Sequence, residues 1–216
     1  MRTLRIAVLI LGLSLVTPAF AELPEPLLKP DEIKDHLWQF DDLNRIVARL
    51  PERRLVTRTF THKTTKIRGG ISIGLINAPI DKVIPIVKDY GSFKDMLPFF
   101  KESTVLGSGG NRTLVHVKIE IVKGVVKLWG NLEFFELKGK RDVLVIDGKM
   151  TEGNMKVFRA RFEVVPIQGN RTLILVRLIV DPDIQIAKDS KVNKYNQVNA
   201  RRFIRAIRDR AEGNDK

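Results

Sequence analysis

Apolar and polar side chains alternate along three stretches of the chain between residues 114 and 181. A period of two places alternate side chains on opposite faces of a strand, so these stretches predict antiparallel strands with one apolar face. The opposite face carries many charges, among them Lys118, Arg159 and Arg177. We expect a sheet that is covered on one face and solvated on the other, which excludes a doubly wound parallel sheet. The apolar sets are Val115, Val117, Ile119 and Ile121; Phe158, Ala160, Phe162 and Val164; and Ile174, Val176, Leu178 and Val180.

A long amphipathic helix is predicted after these strands, from Ser190 to Ala211. Its apolar residues recur at spacings of three and four, which places them on one helix face. That face needs an apolar surface to lie on, and the sheet needs a cover. We therefore expect a curved sheet wrapped round the terminal helix. The residues of the face are Val192, Tyr195, Ala200, Phe203, Ile204, Ile207 and Ala211.

The segment before the alternating stretches predicts one strand and two short helices. Phe60 to Ile76 has the near-alternation of a first strand, in which Gly69 and Gly70 mark a bulge or a close approach. Helices are predicted up to Asp89 and over Ser92 to Leu97, and Pro85 is expected to kink or split the first of them. Further strands follow from Phe99 onward. The fold class predicted is α+β, with an antiparallel sheet of about seven strands.

The pentapeptide Gly-Asn-Arg-Thr-Leu occurs twice, at Gly110 to Leu114 and at Gly169 to Leu173. Glycine and asparagine accept the positive φ that a tight hairpin requires. We interpret both copies as turns that lead into strands.

The N-terminus has the pattern of a cleaved export signal. Arg2 and Arg5 precede a short apolar run, and Ala19-Phe20-Ala21 is a small-x-small cleavage site, so residues 1–21 are predicted to be a signal peptide. The chain contains no cysteine, which excludes a lipid-anchored N-terminus and disulfides. We expect a periplasmic protein without a lipid anchor.

Residues 22–59 form an N-terminal extension, in which an amphipathic helix capped by Asp31 is predicted to end at Leu50. This helix is expected to pack on the outer surface of the sheet or on a partner subunit. Its mixed charges make a membrane-surface helix the less favoured alternative. Trp129 and Phe135 form an outer apolar patch that the same helix or a second subunit would cover.

The chain is strongly basic, with 38 Lys and Arg against 25 Asp and Glu and a formal net charge of +13 at pH 7. An exported protein rarely meets nucleic acid, so no nucleic-acid partner is expected. An anionic membrane surface is the expected counter-surface, and a generally basic, solvated surface is the alternative.

The element order resembles the START-like helix-grip (SRPBCC) superfamily, which includes polyketide cyclases, coenzyme Q-binding domains and lipid-transfer START proteins. The segments that carry the resemblance are Asn77 to Val83, Val87 to Tyr90, Pro98 to Val105 and Arg205 to Arg210. The similarity covers about Phe60 to Ala211 and implies a START-like ligand-binding domain over residues 60–212.

The resemblance implies a cavity for one hydrophobic molecule between the sheet and the terminal helix. Tyr90, Tyr195, Asn196 and Asn199 are polar groups that could orient such a ligand, and the alternative is a core filled by its own side chains. The expected cavity walls are Val117, Ile119, Leu128, Leu132, Phe134, Phe158, Ala160, Phe162, Val176, Leu178, Tyr195, Asn199, Phe203 and Ile207. The expected cavity mouth and membrane contact are Lys94, Met96, Leu97, Phe99, Phe100 and Lys101.

Catalytic and metal-binding patterns are not evident in the sequence. His36, His62 and His116 have no partner at a spacing typical of a catalytic or metal site, so no catalytic residue, metal or cofactor is predicted. The favoured function is binding and transfer of a lipid or isoprenoid at a membrane surface. The alternatives are a cyclase- or hydrolase-like enzyme of the same fold and an interaction protein that binds no ligand.

Overall fold

The computed structural model describes residues 27–50, 54–122, 126–182 and 188–214. The predicted signal peptide, and the first part of the extension up to residue 26, lie outside the described residues. Among the described residues, no helix combines the length and the apolar character that crossing a membrane requires.

One antiparallel sheet of eight strands forms the body of the protein, in the order β1-β2-β8-β7-β6-β5-β4-β3. After β2 the chain passes through the short helices to the opposite edge of the sheet and returns strand by strand until β8 pairs with β2. The strands are β1 (Val56–His62), β2 (Thr65–Ile76), β3 (Phe100–Gly109), β4 (Arg112–Val122), β5 (Val126–Lys138), β6 (Leu144–Gly153), β7 (Val157–Ile167) and β8 (Arg171–Asp181).

The sheet has one strand more than expected because the predicted first strand is a hairpin. A turn at Lys63 and Thr64 divides the segment, and β1 folds back on β2 with Thr61 opposite Arg68. The sheet therefore begins at Val56. The turn interpretation of the repeated pentapeptide is confirmed, since Gly110, Gly169 and Asn170 have φ values of 59°, 78° and 59°.

The described part of the chain also contains four α-helices: α1 (Leu43–Arg49), α2 (Ile80–Lys88), α3 (Phe93–Met96) and α4 (Asp189–Ala211). A 3₁₀ turn, Tyr90–Ser92, joins α2 to α3. Pro85 does not split α2, which continues on both sides of it. A proline removes only its own N–H hydrogen bond, and Val83 and Val87 still bury one face of this helix.

The inner face of the sheet and α4 enclose the larger apolar core, which we call the inner core. The predicted apolar sets of β4, β7 and β8 contribute to it as expected. Gly70 permits the closest approach of α4, because a Cβ there would lie 2.5 Å from Gln197 Cα. Asn196 fixes the same contact, since its Oδ1 accepts from Val180 N at 3.0 Å and its Nδ2 donates to the Arg68 carbonyl at 3.0 Å.

The extension does not form the single helix predicted from Asp31. It contains two 3₁₀ turns, Pro30–Glu32 and Leu37–Gln39, before α1, and α1 is capped by Asp42, whose Oδ1 accepts from Asn44 N at 2.8 Å. A straight helix presents one narrow stripe, whereas this irregular path follows the broad sheet surface. The buried apolar residues of this segment are Leu28, Ile33, Leu37, Phe40, Ile46, Val47 and Leu50.

The outer face of the sheet is not generally solvated, in contrast to the expectation. The extension covers its β1, β2 and β8 side and creates a second apolar cluster, the outer core. Leu173 and Leu175 of β8 belong to this cluster and show that β8 is buried on both faces. The extension leaves Trp129 of β5 37% exposed, so it does not cover the predicted outer patch. The strand residues of the outer core are Val56, Ile71, Ile73, Val145, Val165, Leu173 and Leu175, with Val143 just before β6.

Candidate ligand-binding site

The predicted wall residues lie together between the sheet and α4. All of the sheet residues among them are buried in the inner core, as are Phe203 and Ile207 of α4. Tyr195 is partly buried against the same core, and Asn199 is fully buried beside it. The alternation of apolar and polar residues in the sequence therefore correctly placed these side chains in the inner core between the sheet and α4.

Aromatic rings organise the centre of this interior around Phe203. The Phe203 ring makes edge contacts with Phe93, Phe162 and Phe100, with centroids 5.5, 5.3 and 6.0 Å apart. Tyr90 stacks on Phe134 at 4.4 Å. Tyr90 and Phe93 close the interior from the side of the short helices, which gives Phe93 a central position that the sequence did not suggest. Its only sequence signal was an apolar residue in the predicted second helix.

The predicted mouth residues divide into two groups. Leu97, Phe99 and Phe100 are buried in the inner core, with exposures of 1, 6 and 4%, and Met96 packs against it. Lys94 and Lys101 are exposed. The aromatic residues of this segment therefore contact a bilayer only if the segment opens.

A groove of about 630 Å³ runs along strands β3 to β5 next to this segment. It brings the predicted mouth residue Lys101 together with two predicted wall residues, Ile119 and Leu128. Trp129 and Lys127 line its outer side. The groove has the size of a small-molecule site, and Trp129 is a lining residue that the sequence had placed only on the outer surface.

The hydroxyl of Tyr195 and Nδ2 of Asn199 are among the buried side-chain atoms of α4 for which the described part of the chain offers no hydrogen-bond partner. Arg202 donates from Nη1 to Asn199 Oδ1 at 3.2 Å, so the amide nitrogen on the opposite side of the carboxamide remains available. Tyr195 and Asn199 are one helical turn apart and share a face. The Tyr195 ring meets Phe99 at 5.9 Å, which places this polar pair beside the predicted mouth.

Two phenols in or beside the inner core are ionisable, and burial affects both. Desolvation raises the pKa of Tyr90, with a smaller contribution from Glu136, and desolvation also raises the pKa of Tyr195. Both side chains therefore stay neutral at physiological pH. In this state a phenol donates a hydrogen bond but does not serve as a general base.

Each histidine has a polar partner that the sequence did not reveal. His36 Nδ1 lies 2.5 Å from Glu163 Oε1, His62 Nδ1 2.9 Å from Thr64 Oγ1, and His116 Nδ1 2.9 Å from Asn131 Oδ1. These contacts are on the outer face of the sheet or in a turn, away from the inner core. Within the described ranges, no three His, Cys, Asp or Glu side chains form a group that could hold a metal ion.

Solved structures with this fold include lipid transfer proteins and an aromatase/cyclase. A STAR-related lipid transfer protein from Xanthomonas axonopodis is 13% identical, with a TM-score of 0.62, and the match covers 73% of this chain and 93% of that one. Human StAR-related lipid transfer protein 5 is 8% identical, with a TM-score of 0.62 and coverage of 75% and 84%. An aromatase/cyclase from a Streptomyces species is 12% identical, with a TM-score of 0.51 and coverage of 72% and 94%. At these identities the similarity shows the helix-grip fold alone.

Sequence comparison adds the family. No curated protein matches this chain. The family model described as polyketide cyclase / dehydrase and lipid transport matches residues 76–201, which is more than half of the chain and runs from the end of β2 into α4. Together with the eight-stranded sheet and its long terminal helix, this match shows that the chain belongs to the polyketide cyclase / dehydrase and lipid transport family, within the START-like helix-grip fold.

Proposed function

We propose that this protein binds one hydrophobic molecule, a lipid or isoprenoid, between its sheet and α4 and transfers it at a membrane surface outside the cytoplasm. The observation that carries the proposal is the pair of unpartnered polar groups, Tyr195 Oη and Asn199 Nδ2, at the side of an apolar interior. Buried polar groups are normally hydrogen-bonded. Two neighbouring buried groups without partners are best explained by a ligand atom that forms the missing hydrogen bonds. The Asn199 nitrogen only donates, whereas the Tyr195 hydroxyl both donates and accepts and is close enough to Asn199 for that side chain to influence its pKa. The expected ligand therefore carries an oxygen that accepts from this pair, on an apolar body.

Export supports the membrane part of the proposal. Residues 1–21 are predicted to direct the chain to the periplasm, where lipid headgroups are the abundant anionic surface. The exposed face of α4 carries Lys191, Lys194, Arg202 and Arg205, on the side opposite to its buried face. Such a basic face attracts an anionic bilayer and orients α4 towards it.

The family also includes cyclases, so an enzyme of the same fold is the second candidate. Acid–base catalysis requires a group that changes protonation near the working pH. The raised pKa values of Tyr90 and Tyr195 favour binding over such catalysis.

The test is native mass spectrometry of the protein purified from periplasm without detergent, followed by solvent extraction. A discrete additional mass that extracts as a lipid or isoprenoid is expected. The polypeptide mass should correspond to Glu22 to Lys216, since cleavage is predicted after Ala21. An apo mass that persists after incubation with a total membrane-lipid extract would contradict the proposal.

Matched variants test whether Tyr195 and Asn199 bind the ligand. Tyr195→Phe and Asn199→Leu should each lower ligand retention about tenfold, the effect of losing one hydrogen bond. Tyr195→Phe should also stabilise the ligand-free protein by about 1 kcal/mol, because it removes an unsatisfied buried hydroxyl. Asn199→Leu also loses the hydrogen bond from Arg202 Nη1, so its stability should change little. Ser103→Ala is the control: its buried hydroxyl already donates to the Tyr90 carbonyl, so stability should fall while retention is unchanged.

A further inference from the structure

A small pocket lies on the outer face of the sheet, between the extension and strands β1, β6, β7 and β8. Its volume is about 200 Å³, and we call it the arginine pocket because Arg159, Arg161 and Arg177 line it together with His36, His62 and Asp147. A neighbouring hollow of about 390 Å³ shares its Phe60 and adds Arg58 and Arg68. The sheet separates the arginine pocket from the inner core.

The strand register places like charges opposite each other in this pocket. Arg161 of β7 is the direct cross-strand partner of Arg177 of β8. Two like charges in this position are destabilising. Burial, together with the charges of Arg161 and Arg58, lowers the pKa of Arg177 in spite of the nearby carboxylates of Asp35 and Glu163. The pocket therefore has an excess of positive charge.

The carboxylates near the pocket are already engaged. Glu163 Oε1 accepts from His36 Nδ1 at 2.5 Å and from Arg161 Nε at 2.8 Å, while its Oε2 accepts from Leu37 N at 2.7 Å. Asp147 accepts from Arg161 Nη1 at 3.3 Å, and Asp35 accepts from Arg58 Nη2 at 2.5 Å. These contacts occupy the guanidinium groups of Arg161 and Arg58. Some other hydrogen-bond donors that line the pocket have no carboxylate partner among the described residues.

Two arginines retain donors for a ligand. The Arg159 side chain is exposed and makes no hydrogen bond or ion pair with any residue that the structure describes. Arg177 uses Nη1 for the Asp35 carbonyl at 3.5 Å and His36 Nε2 at 3.2 Å, so its Nε and Nη2 are not used by these two contacts. The guanidinium of Arg177 lies 4.6 Å from the Phe60 ring centroid, which holds its plane in place.

We propose that the arginine pocket binds a phosphate group, either inorganic phosphate or a phosphate monoester, between the guanidinium groups of Arg159 and Arg177. A planar guanidinium fork matches the oxygen geometry of phosphate, and a doubly charged anion offsets the Arg161–Arg177 repulsion. The pocket is smaller than a site for a drug-sized molecule, which suits a small anion or one terminal phosphate.

The test compares thermal unfolding of the full chain in inorganic phosphate and in sodium chloride at equal ionic strength. Phosphate should raise Tm progressively, since a ligand that binds only the folded state stabilises it. Arg159→Gln should weaken phosphate binding about tenfold, the effect of losing one hydrogen bond to a charged group. Arg112→Gln removes the same charge from an exposed side chain in β4, next to the far edge strand of the sheet, and should leave phosphate binding unchanged.

Two further arms distinguish the source of the phosphate. Stabilisation by inorganic phosphate and by glycerol phosphate identifies a soluble ligand. Binding only to phosphatidylcholine vesicles that contain phosphatidic acid, reduced by Arg159→Gln but not by Arg112→Gln, identifies a lipid headgroup. No effect of phosphate beyond that of chloride together with no variant-sensitive vesicle binding, or equal losses in the two variants, would overturn the proposal.

Discussion

Glu163 is a fully buried carboxylate on the outer face of β7. Burial alone would raise its pKa, but the hydrogen bonds from His36, Leu37 N and Arg161 outweigh burial and hold the pKa below its ordinary value of 4.5. Two of these partners belong to the extension, so this single residue links the extension to the sheet. From the sequence alone, Glu163 was predicted only to be one of several charged residues on the solvent-facing side of its strand.

Glu163→Gln should lower the free energy of unfolding by about 3 kcal/mol, because the substitution leaves buried donors without their ionic partner. Glu102→Gln is the control, since Glu102 pairs with Lys118 at 2.8 Å and both side chains are about half exposed. Its effect should remain below about 1 kcal/mol. Urea unfolding of the three proteins measures the differences.

The effect of Glu163 should also depend on pH. A carboxyl whose pKa is lowered by folding stabilises the protein above its unfolded pKa, here 4.5, and this contribution is lost as the pH falls through the folded pKa. The difference in stability between the protein and Glu163→Gln should therefore be constant above about pH 5 and shrink at lower pH. A difference that stays unchanged at acid pH would show that the ionised carboxylate is not the stabilising form.

At the scale of elements, the close packing of α4 on β2 defines the interior. A Cβ on Gly70 would lie 2.6 Å from the Asn196 carbonyl oxygen, and this neighbour is backbone that does not rotate away. Glycine is therefore required at position 70 because any side chain would collide with the backbone of α4, and not because of an unusual backbone conformation.

Gly70→Ala should destabilise the protein by about 2 kcal/mol, the usual cost of forcing extra volume into a packed contact. Gly107→Ala is the matched control, since nothing lies within 4 Å of a Cβ there. Its effect should stay within about 0.5 kcal/mol. Equal effects of the two substitutions in urea unfolding would contradict the close contact.

The extension is a second element with a structural role. Leu37→Ala should cost about 3 kcal/mol, similar to Leu132→Ala in the inner core, because both leucines are fully buried. Leu137→Ala, at a leucine that is 41% exposed, should cost less than about 1 kcal/mol. If Leu37→Ala resembled Leu137→Ala, the extension would be loosely attached in solution.

At the scale of the whole molecule, the arginine pocket and the exposed face of α4 are two basic places with different chemistry. The arginine pocket holds Arg161 and Arg177 among carboxylates with Arg159 beside them, whereas the basic face of α4 is open to solvent. Fixed guanidinium groups suit one small anion, and an open face suits an extended anionic surface.

The combined change of Lys191, Lys194 and Arg205 to glutamine should weaken binding to anionic vesicles on the order of a hundredfold, at about 1 kcal/mol for each charge. Co-sedimentation measures this, and the binding should decrease with added salt. A control with glutamine at Lys63, Lys82 and Lys140 removes the same charge from exposed positions elsewhere. Equal losses would indicate attraction by net charge without a preferred face.

The sequence by itself determined the fold class, the inner core and its closing helix. Local periodicity carries this information, because a period of two assigns Val117 or Phe162 to a face whatever its neighbours are. The helical spacing of Phe203 and Ile207 does the same for α4. These assignments require no knowledge of which strand lies beside which.

Only the tertiary structure decided the rest, because it depends on contacts between residues far apart in the chain. Glu163 meets His36 across 127 positions, and Arg161 faces Arg177 only through the register of β7 and β8. Asn196 and Asn199 are equivalent in the sequence, yet one binds backbone groups of β2 and β8 while the other keeps a free amide nitrogen. Periodicity assigns a side chain to a face, and the packing of distant segments determines its partner.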